Sequence, residues 1–223
     1  IISRIWGGVC ENLILVAIPM FIFMGTMLEK SGVAKDLLYA LQIMLRRVPG
    51  GLALSVTIMG TIMAATTGII GASVVMMTLL ALPVMLERNY DKSLSTGTIA
   101  ASGTLGILIP PSIMLVIMAD LLAISVGTLF VASIFPGLLL AILYFIYLFL
   151  RTRINPSIAP PLPDNIGPSN FKEKLKLVFK SFLPPIFLIV LVLGSIFAGF
   201  ATPTEAAGVG ALGSILLAII NKR

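Results

Sequence analysis

Long stretches without a single charge alternate along this chain with short clusters of basic residues. Residues 51–86, 93–119, 121–150 and 181–204 contain no Asp, Glu, Lys or Arg, and a shorter run covers 206–221. A membrane-crossing helix needs roughly 20 apolar residues. Lipid admits only structures that satisfy their own backbone, namely helices or closed barrels. Barrel strands are short and alternate in polarity, whereas these runs are continuous and rich in Leu, Ile and Ala. The pattern predicts an all-α polytopic membrane protein.

The punctuation divides the chain into four regions. In residues 1–50 a first span at about 9–28 holds Pro19. The ten residues between Lys35 and Arg46 are too few to cross a bilayer. Leu37, Leu38, Leu41, Met44 and Leu45 fall at helical spacing there, which predicts an amphipathic helix in the interface, ended by Pro49-Gly50-Gly51. In residues 51–127 the run 51–86 is either two spans or one re-entrant hairpin with a small, polar centre at Ala64-Ala65-Thr66-Thr67-Gly68. Basic residues flank both of its ends, so either form returns the chain to its starting side. The run 93–119 is interrupted by Gly103, Gly106 and Pro110-Pro111-Ser112. Two prolines remove two amide donors, and the residue before a proline avoids the α region, so this run predicts a discontinuous helix. Residues 128–180 hold a span at 128–150, an extended proline-rich loop at 154–169 and a short amphipathic helix from Asn170, with Glu173 completing a capping box. Residues 181–223 hold a span at about 183–201 and a last helix after Ala201-Thr202-Pro203-Thr204-Glu205.

Composition agrees: 58% of residues are hydrophobic and 11% charged, against about 25% charged in soluble domains. The mean hydropathy is +1.12. The net charge of +6 is topological and does not indicate nucleic-acid binding. With the basic loop 151–180 in the cytoplasm, alternation puts 29–50, 87–92 and 221–223 there too, and Asp120 on the far side. Fourteen of the fifteen Lys and Arg residues then lie on the cytoplasmic side, Arg4 being the exception. The absence of histidine and the single cysteine, Cys10, leave no internal disulfide and no Cys-based metal site. The chain opens on Ile1-Ile2 without an initiator Met, which reads as part of a longer polypeptide.

Three constellations carry candidate chemistry. Thr66-Thr67-Gly68 through Gly71-Ala72-Ser73 reads either as a hairpin tip whose carbonyls and hydroxyls coordinate a hard cation, or as tight helix packing. Gly60, Ala64, Gly68 and Ala72 recur every four residues, as small-residue interfaces do. Ser102-Gly103-Thr104-Leu105-Gly106 with Ile109-Pro110-Pro111-Ser112 reads as a broken helix lining a cavity, since unwound backbone at membrane depth is tolerated only where it is buried or faces water. Thr202-Pro203-Thr204-Glu205 is a helix start: N-cap, N1 proline and an acid at the positive end of the dipole. Glu11 and Asp120 fall at interfaces. The lack of an in-membrane acid pair argues against an intramembrane enzyme, and the broken helix argues against a passive assembly subunit.

Ala17-Ile18-Pro19-Met20-Phe21-Ile22-Phe23-Met24-Gly25, Leu105-Gly106-Ile107-Leu108-Ile109-Pro110-Pro111-Ser112, Phe135-Pro136-Gly137 and Thr202-Pro203-Thr204-Glu205-Ala206-Ala207 together resemble the large membrane subunit of the tripartite ATP-independent periplasmic (TRAP) transporters. The resemblance spans nearly the whole chain. It departs at the tip, which reads Thr66-Thr67-Gly68 in place of a Ser-Gly-Ser type. The resemblance implies an inverted-repeat, elevator-type importer in the bacterial inner membrane, driven by sodium, with no other cofactor. It also implies a small membrane subunit and a periplasmic solute-binding protein that delivers a small organic acid as partners. Thr66, Thr67, Gly106, Pro110, Pro111 and Ser112 would then contact solute. Thr67, Gly68 and Ser73 would face Ser102, Gly103 and Thr104 across a sodium ion. The competing reading is another hairpin-containing anion or citrate-type carrier, distinguished by independence from a binding protein.

Overall fold

A computed structural model describes residues 13–162 and 171–221. The expectations placed on Arg4, Cys10, Glu11 and Asn170 lie outside these residues. The described chain is a succession of helices. α1 (Leu13–Lys30) and α2 (Val33–Met44) are bent 56° apart at the turn Ser31-Gly32, where Gly32 takes a φ of 77°. α2 buries the face formed by Val33, Leu37, Leu38 and Leu41 and exposes Lys35, Asp36 and Tyr39, as an interfacial arm does.

α3 (Gly51–Thr67) and α4 (Ile70–Glu87) form the hairpin, joined by Gly68 and Ile69. Gly68 has a φ of 60° and donates its N–H to Ala64 O at 3.3 Å, closing α3, while Ile69 is extended. The left-handed position suits glycine. α5 (Lys92–Thr104) starts on Asp91, whose carboxylate accepts Leu94 N–H at 2.9 Å. It tightens into a 3₁₀ turn at Leu105–Ile107, and the chain restarts as α6 (Ile113–Leu121). α7 (Val126–Ile154) runs to Arg151 and Arg153, and Pro156–Ile158 is a short 3₁₀ turn. α8 (Phe171–Phe197) and α9 (Pro203–Ile220) complete the described chain.

Four of these helices are long and apolar enough to cross a membrane, or five if the bent pair α1–α2 counts as one. Large apolar side chains face outward from them: Phe135, Leu139 and Ile142 on α7, Leu183, Phe187 and Val190 on α8. Such outward apolar faces, with long charge-free helices, define a multi-pass membrane protein.

The hairpin is pinned at its base. Leu52 N–H donates to the Tyr90 hydroxyl at 3.2 Å, Gly50 N–H to Ala159 O at 3.0 Å, Asp91 N–H to Ile158 O at 2.9 Å and Leu162 N–H to Arg46 O at 3.0 Å. Thr152 Oγ1 donates to Pro49 O at 3.1 Å, and a Cβ on Gly50 would run into the Thr152 side chain. Burial pushes the Tyr90 hydroxyl up to about 12, although Leu52 N–H opposes the shift, so it stays a neutral phenol. Residues 46–52, 88–91 and 152–162 therefore share one end of the molecule, the end that the basic residues assign to the cytoplasm.

One expectation is corrected. The short amphipathic helix and the span at 183–201 are a single helix, α8, with Pro184 and Pro185 inside it. The two prolines forfeit two backbone hydrogen bonds. The exposed stripe Leu175, Phe179, Leu183 and Phe187 nevertheless continues at i, i+4 straight across them. One apolar face carries the helix through, where the charge boundary alone suggested a break.

Two measurements check this account. Tyr90→Phe leaves the buried Leu52 N–H without an acceptor, so thermal unfolding in detergent should show a loss of about 1–3 kcal/mol. Cysteines at Lys92 and Ser157 should be shielded from a membrane-impermeant thiol reagent applied outside intact cells, and one at Leu121 should react. Reaction at Ser157 with protection at Leu121 reverses the orientation.

Candidate functional site

The hairpin tip and the break in the α5–α6 run meet. A Cβ on Gly68 would lie 3.1 Å from Ile113 N and 3.5 Å from Ser112 Cα. One turn down α3, a Cβ on Gly106 would lie 3.8 Å from Ala64 Cα and O. Further down, a Cβ on Gly60 would come within 2.7 Å of Ser102 Cβ. Gly103 faces the other arm, where a Cβ would collide with the Val74 side chain and stand 3.3 Å from Val74 Cα. The second half of α5 thus lies in the groove between the hairpin arms, and the four-residue stripe of small residues is the surface it packs on. Ala64, Ala65, Leu105, Ile109 and Ala141 form a small buried cluster beneath the meeting point.

The tip ends level with the break. Beyond it α6 runs nine more residues, roughly 13 Å at 1.5 Å per residue, before the chain reaches Leu122. The hairpin does not extend alongside that distance, as a re-entrant element would not, although α4 alone has the length of a span.

The hydroxyls at the meeting point keep their protons turned toward backbone. Thr66 Oγ1 donates to Met63 O at 2.8 Å, Ser73 Oγ to Ile69 O at 2.9 Å and Ser112 Oγ to Ile107 O at 2.8 Å. A hydroxyl that has given its only proton retains lone pairs, so these oxygens can still accept from a donor or coordinate a cation. Ser102 Oγ approaches Thr57 Oγ1 at 3.4 Å, lower in the hairpin, and the exposed Thr104 donates to Ala101 O at 2.7 Å. Thr67 is the last helical residue of α3. The arrangement pairs Gly68 with Ser112 and Ile113, and Gly103 with Val74; Gly68 and Gly103 do not face each other.

Four helix ends converge here. α3 and the 3₁₀ turn present carbonyl ends, and α4 and α6 present amide ends with no side-chain cap. Each end carries about half a unit charge. The two signs side by side fit an ion pair, a small cation beside an anionic group. Among the described residues no three of His, Cys, Asp and Glu could hold a metal ion, so any cation here takes its oxygens from hydroxyls and carbonyls.

Gly137 covers the break from the opposite side, where a Cβ would lie 3.0 Å from Ile109 Cγ1 and 3.2 Å from Leu108 O. This gives Phe135-Pro136-Gly137 a packing role that its sequence alone did not suggest. Thr57, Val74 and Ile113 were also missed; as single apolar or hydroxyl residues in charge-free runs they carry no pattern of their own. At the start of α9 the capping box is complete: Thr202 N–H donates to Glu205 Oε2 at 2.8 Å and Glu205 N–H to Thr202 Oγ1 at 3.3 Å.

The site is thus a hairpin tip set against a broken helix inside a multi-pass bundle. The family model for the DctM component of the tripartite ATP-independent periplasmic transporters matches residues 1–223, and the chain belongs to that family. It is 34% identical over 213 residues to the C4-dicarboxylate TRAP transporter large permease protein DctM of Pseudomonas aeruginosa, covering 96% of this chain and 48% of the relative. It is 36% identical over 204 residues to the protein of the same name from Vibrio cholerae, covering 92% and 44%. Identity to the isethionate TRAP transporter permease protein DctMQ of Oleidesulfovibrio alaskensis is 34% over 207 residues, 91% of this chain and 31% of the relative. The chain spans about half the length, or less, of these relatives. As members of this family are, it is a multi-pass protein of the inner membrane.

The packing on the stripe is directly testable. Gly60→Ala should cost about 1–3 kcal/mol through overpacking against Ser102, read as a lower melting temperature in detergent. Gly71→Ala, where a Cβ would meet nothing within 4 Å, should leave the melting temperature unchanged.

Proposed function

We propose that this chain serves in a sodium-coupled importer of small organic acids, as the membrane part that carries one tip-and-break site. The reading rests on a single observation: the hairpin tip at Gly68 abuts the restart of the broken helix at Ser112–Ile113. That contact brings two carbonyl ends and two amide ends together among small residues. Sodium takes the oxygens of the carbonyl ends and of Thr66, Thr67, Gly68 and Ser73. The carboxylate of the solute takes the amide end of α6 beside Pro110, Pro111 and Ser112, with Gly106 admitting it closely. Ser102, Gly103 and Thr104 form the wall that the sodium shell leans on, Gly103 by allowing Val74 to approach. The names of the relatives, C4-dicarboxylate among them, support the solute class. The fused name DctMQ of one relative supports a small membrane subunit as partner. A periplasmic solute-binding protein delivers the solute.

Reconstitution of the full-length protein with its small subunit and binding protein tests this. A sodium gradient should drive uptake that stops when the binding protein is omitted. Gly103→Val should insert normally and abolish uptake, because its side chain cannot share space with Val74. Ser73→Ala should raise the half-saturating sodium concentration by about tenfold, the loss of one oxygen ligand, without changing binding-protein docking. Uptake indifferent to the sodium gradient, or continuing without the binding protein, would point to the citrate-type carrier or another mechanism.

A further inference from the structure

A cavity of about 360 Å³, lined by both polar and apolar side chains, lies between α5 and α7 on the side where the basic residues gather. It follows from two helix faces. Leu94, Thr98, Ala101 and Ser102 recur at i, i+4, i+7 and i+8 on α5, and Tyr144, Tyr147, Leu148 and Arg151 at i, i+3, i+4 and i+7 on α7. Its inner end is the pair Ser102 and Thr57, beside the hairpin; its mouth carries Asp91 and Arg151.

Two features mark it as a binding site. Thr98 is only 4% exposed, and its Oγ1 has no hydrogen-bond partner among the described residues. A buried hydroxyl in that state costs about 1–3 kcal/mol unless something bonds to it. Arg151, on the facing helix, forms no ion pair shown among the described residues and brings a guanidinium, a planar fork that matches a carboxylate. Asp91 already accepts Leu94 N–H as the cap of α5. One guanidinium, the hydroxyl of Thr98 and two tyrosines are a donor set for an anion with a polar tail.

We propose that this cavity is a release site for the solute's carboxylate on the cytoplasmic side, held by Arg151 and Thr98 after it leaves the tip-and-break site. The inference rests on the transport reading above and adds a second carboxylate station to it. The cavity ends inward at Ser102 and Thr57, on the two helices α3 and α5 whose next turns lead to the tip-and-break site, and carries Arg151 at its mouth, so a solute that enters it from that side meets a guanidinium next to water. The hydroxyl of Thr98 lies along the way.

The test uses the full-length protein freed of its other cysteines, with Ala101→Cys as a reporter in the cavity wall. A membrane-impermeant maleimide applied from the cytoplasmic side should label it, and succinate or gluconate should slow the labelling. Arg151→Gln or Thr98→Val in that background should raise the half-protecting concentration by about tenfold, and Thr98→Ser, which keeps the hydroxyl, should restore protection. No labelling from that side, no protection by either acid, or protection that neither variant alters would each overturn the release site. Sodium-driven uptake by the protein without these substitutions is measured in parallel. If that uptake is intact and protection fails, only the release site falls; if the uptake is absent, the transport reading falls and the release site with it.

Discussion

Backbone that stops being helical in the middle of an apolar bundle has to be covered. In hydrocarbon an unsatisfied amide or carbonyl costs several kcal/mol, and the segment from Leu108 to Ser112 contains two prolines that can donate nothing. The fold meets this constraint by enclosure. Ser112 returns its hydroxyl proton to Ile107 O, the hairpin tip closes over Ser112–Ile113, and α7 lays Gly137 against Leu108 and Ile109. Each covering contact is made at a glycine, because only a residue without Cβ lets two backbones come this near. The break survives where it is sandwiched.

The hairpin that covers the break is held asymmetrically. Its two flanks, 46–52 and 88–91, are tied to each other and to residues 152–162 by hydrogen bonds, and Tyr90, Pro49 and Thr152 form its clamp. Its tip touches the break through small residues and van der Waals contact. Hydrogen bonds hold one end of the hairpin, and close approach at small residues holds the other.

Much of this was legible in the sequence, and the reason differs by element. Charge-free runs locate the spans because no soluble arrangement tolerates them. Pro110-Pro111 locates the break because the missing amides are a covalent fact. Gly68 as the turn follows from its position between two apolar arms. The partners across the site were not legible: which residue Gly103 meets depends on how deep α5 sits in the hairpin groove, and Val74 carries no mark of that depth. The continuity of α8 through Pro184-Pro185 was missed for a related reason. The charges stop at Lys180 and suggest a boundary there, and only the outward stripe from Leu175 to Phe187 shows that one helix face continues across it and across the two prolines. Thr98 and Arg151 each look ordinary on their own helix; their significance is a property of the space between helices.

The stripe Gly60, Ala64, Gly68 and Ala72 can be read either as packing or as an ion site. The geometry gives three of its members a packing role. Gly60, Ala64 and Gly68 meet Ser102, Gly106 and Ser112–Ile113 in order, so these small residues are what lets α5 and the break approach the hairpin. Close packing in a membrane needs small side chains. A dehydrated cation needs backbone and hydroxyl oxygens brought near one another from different segments. Both demands select the same residues at the same spacing, which is why periodicity by itself could not separate them. Ala72 stands apart, because it lies beyond the turn on the opposite arm, and the register that defines the stripe ends at Gly68, where the chain reverses.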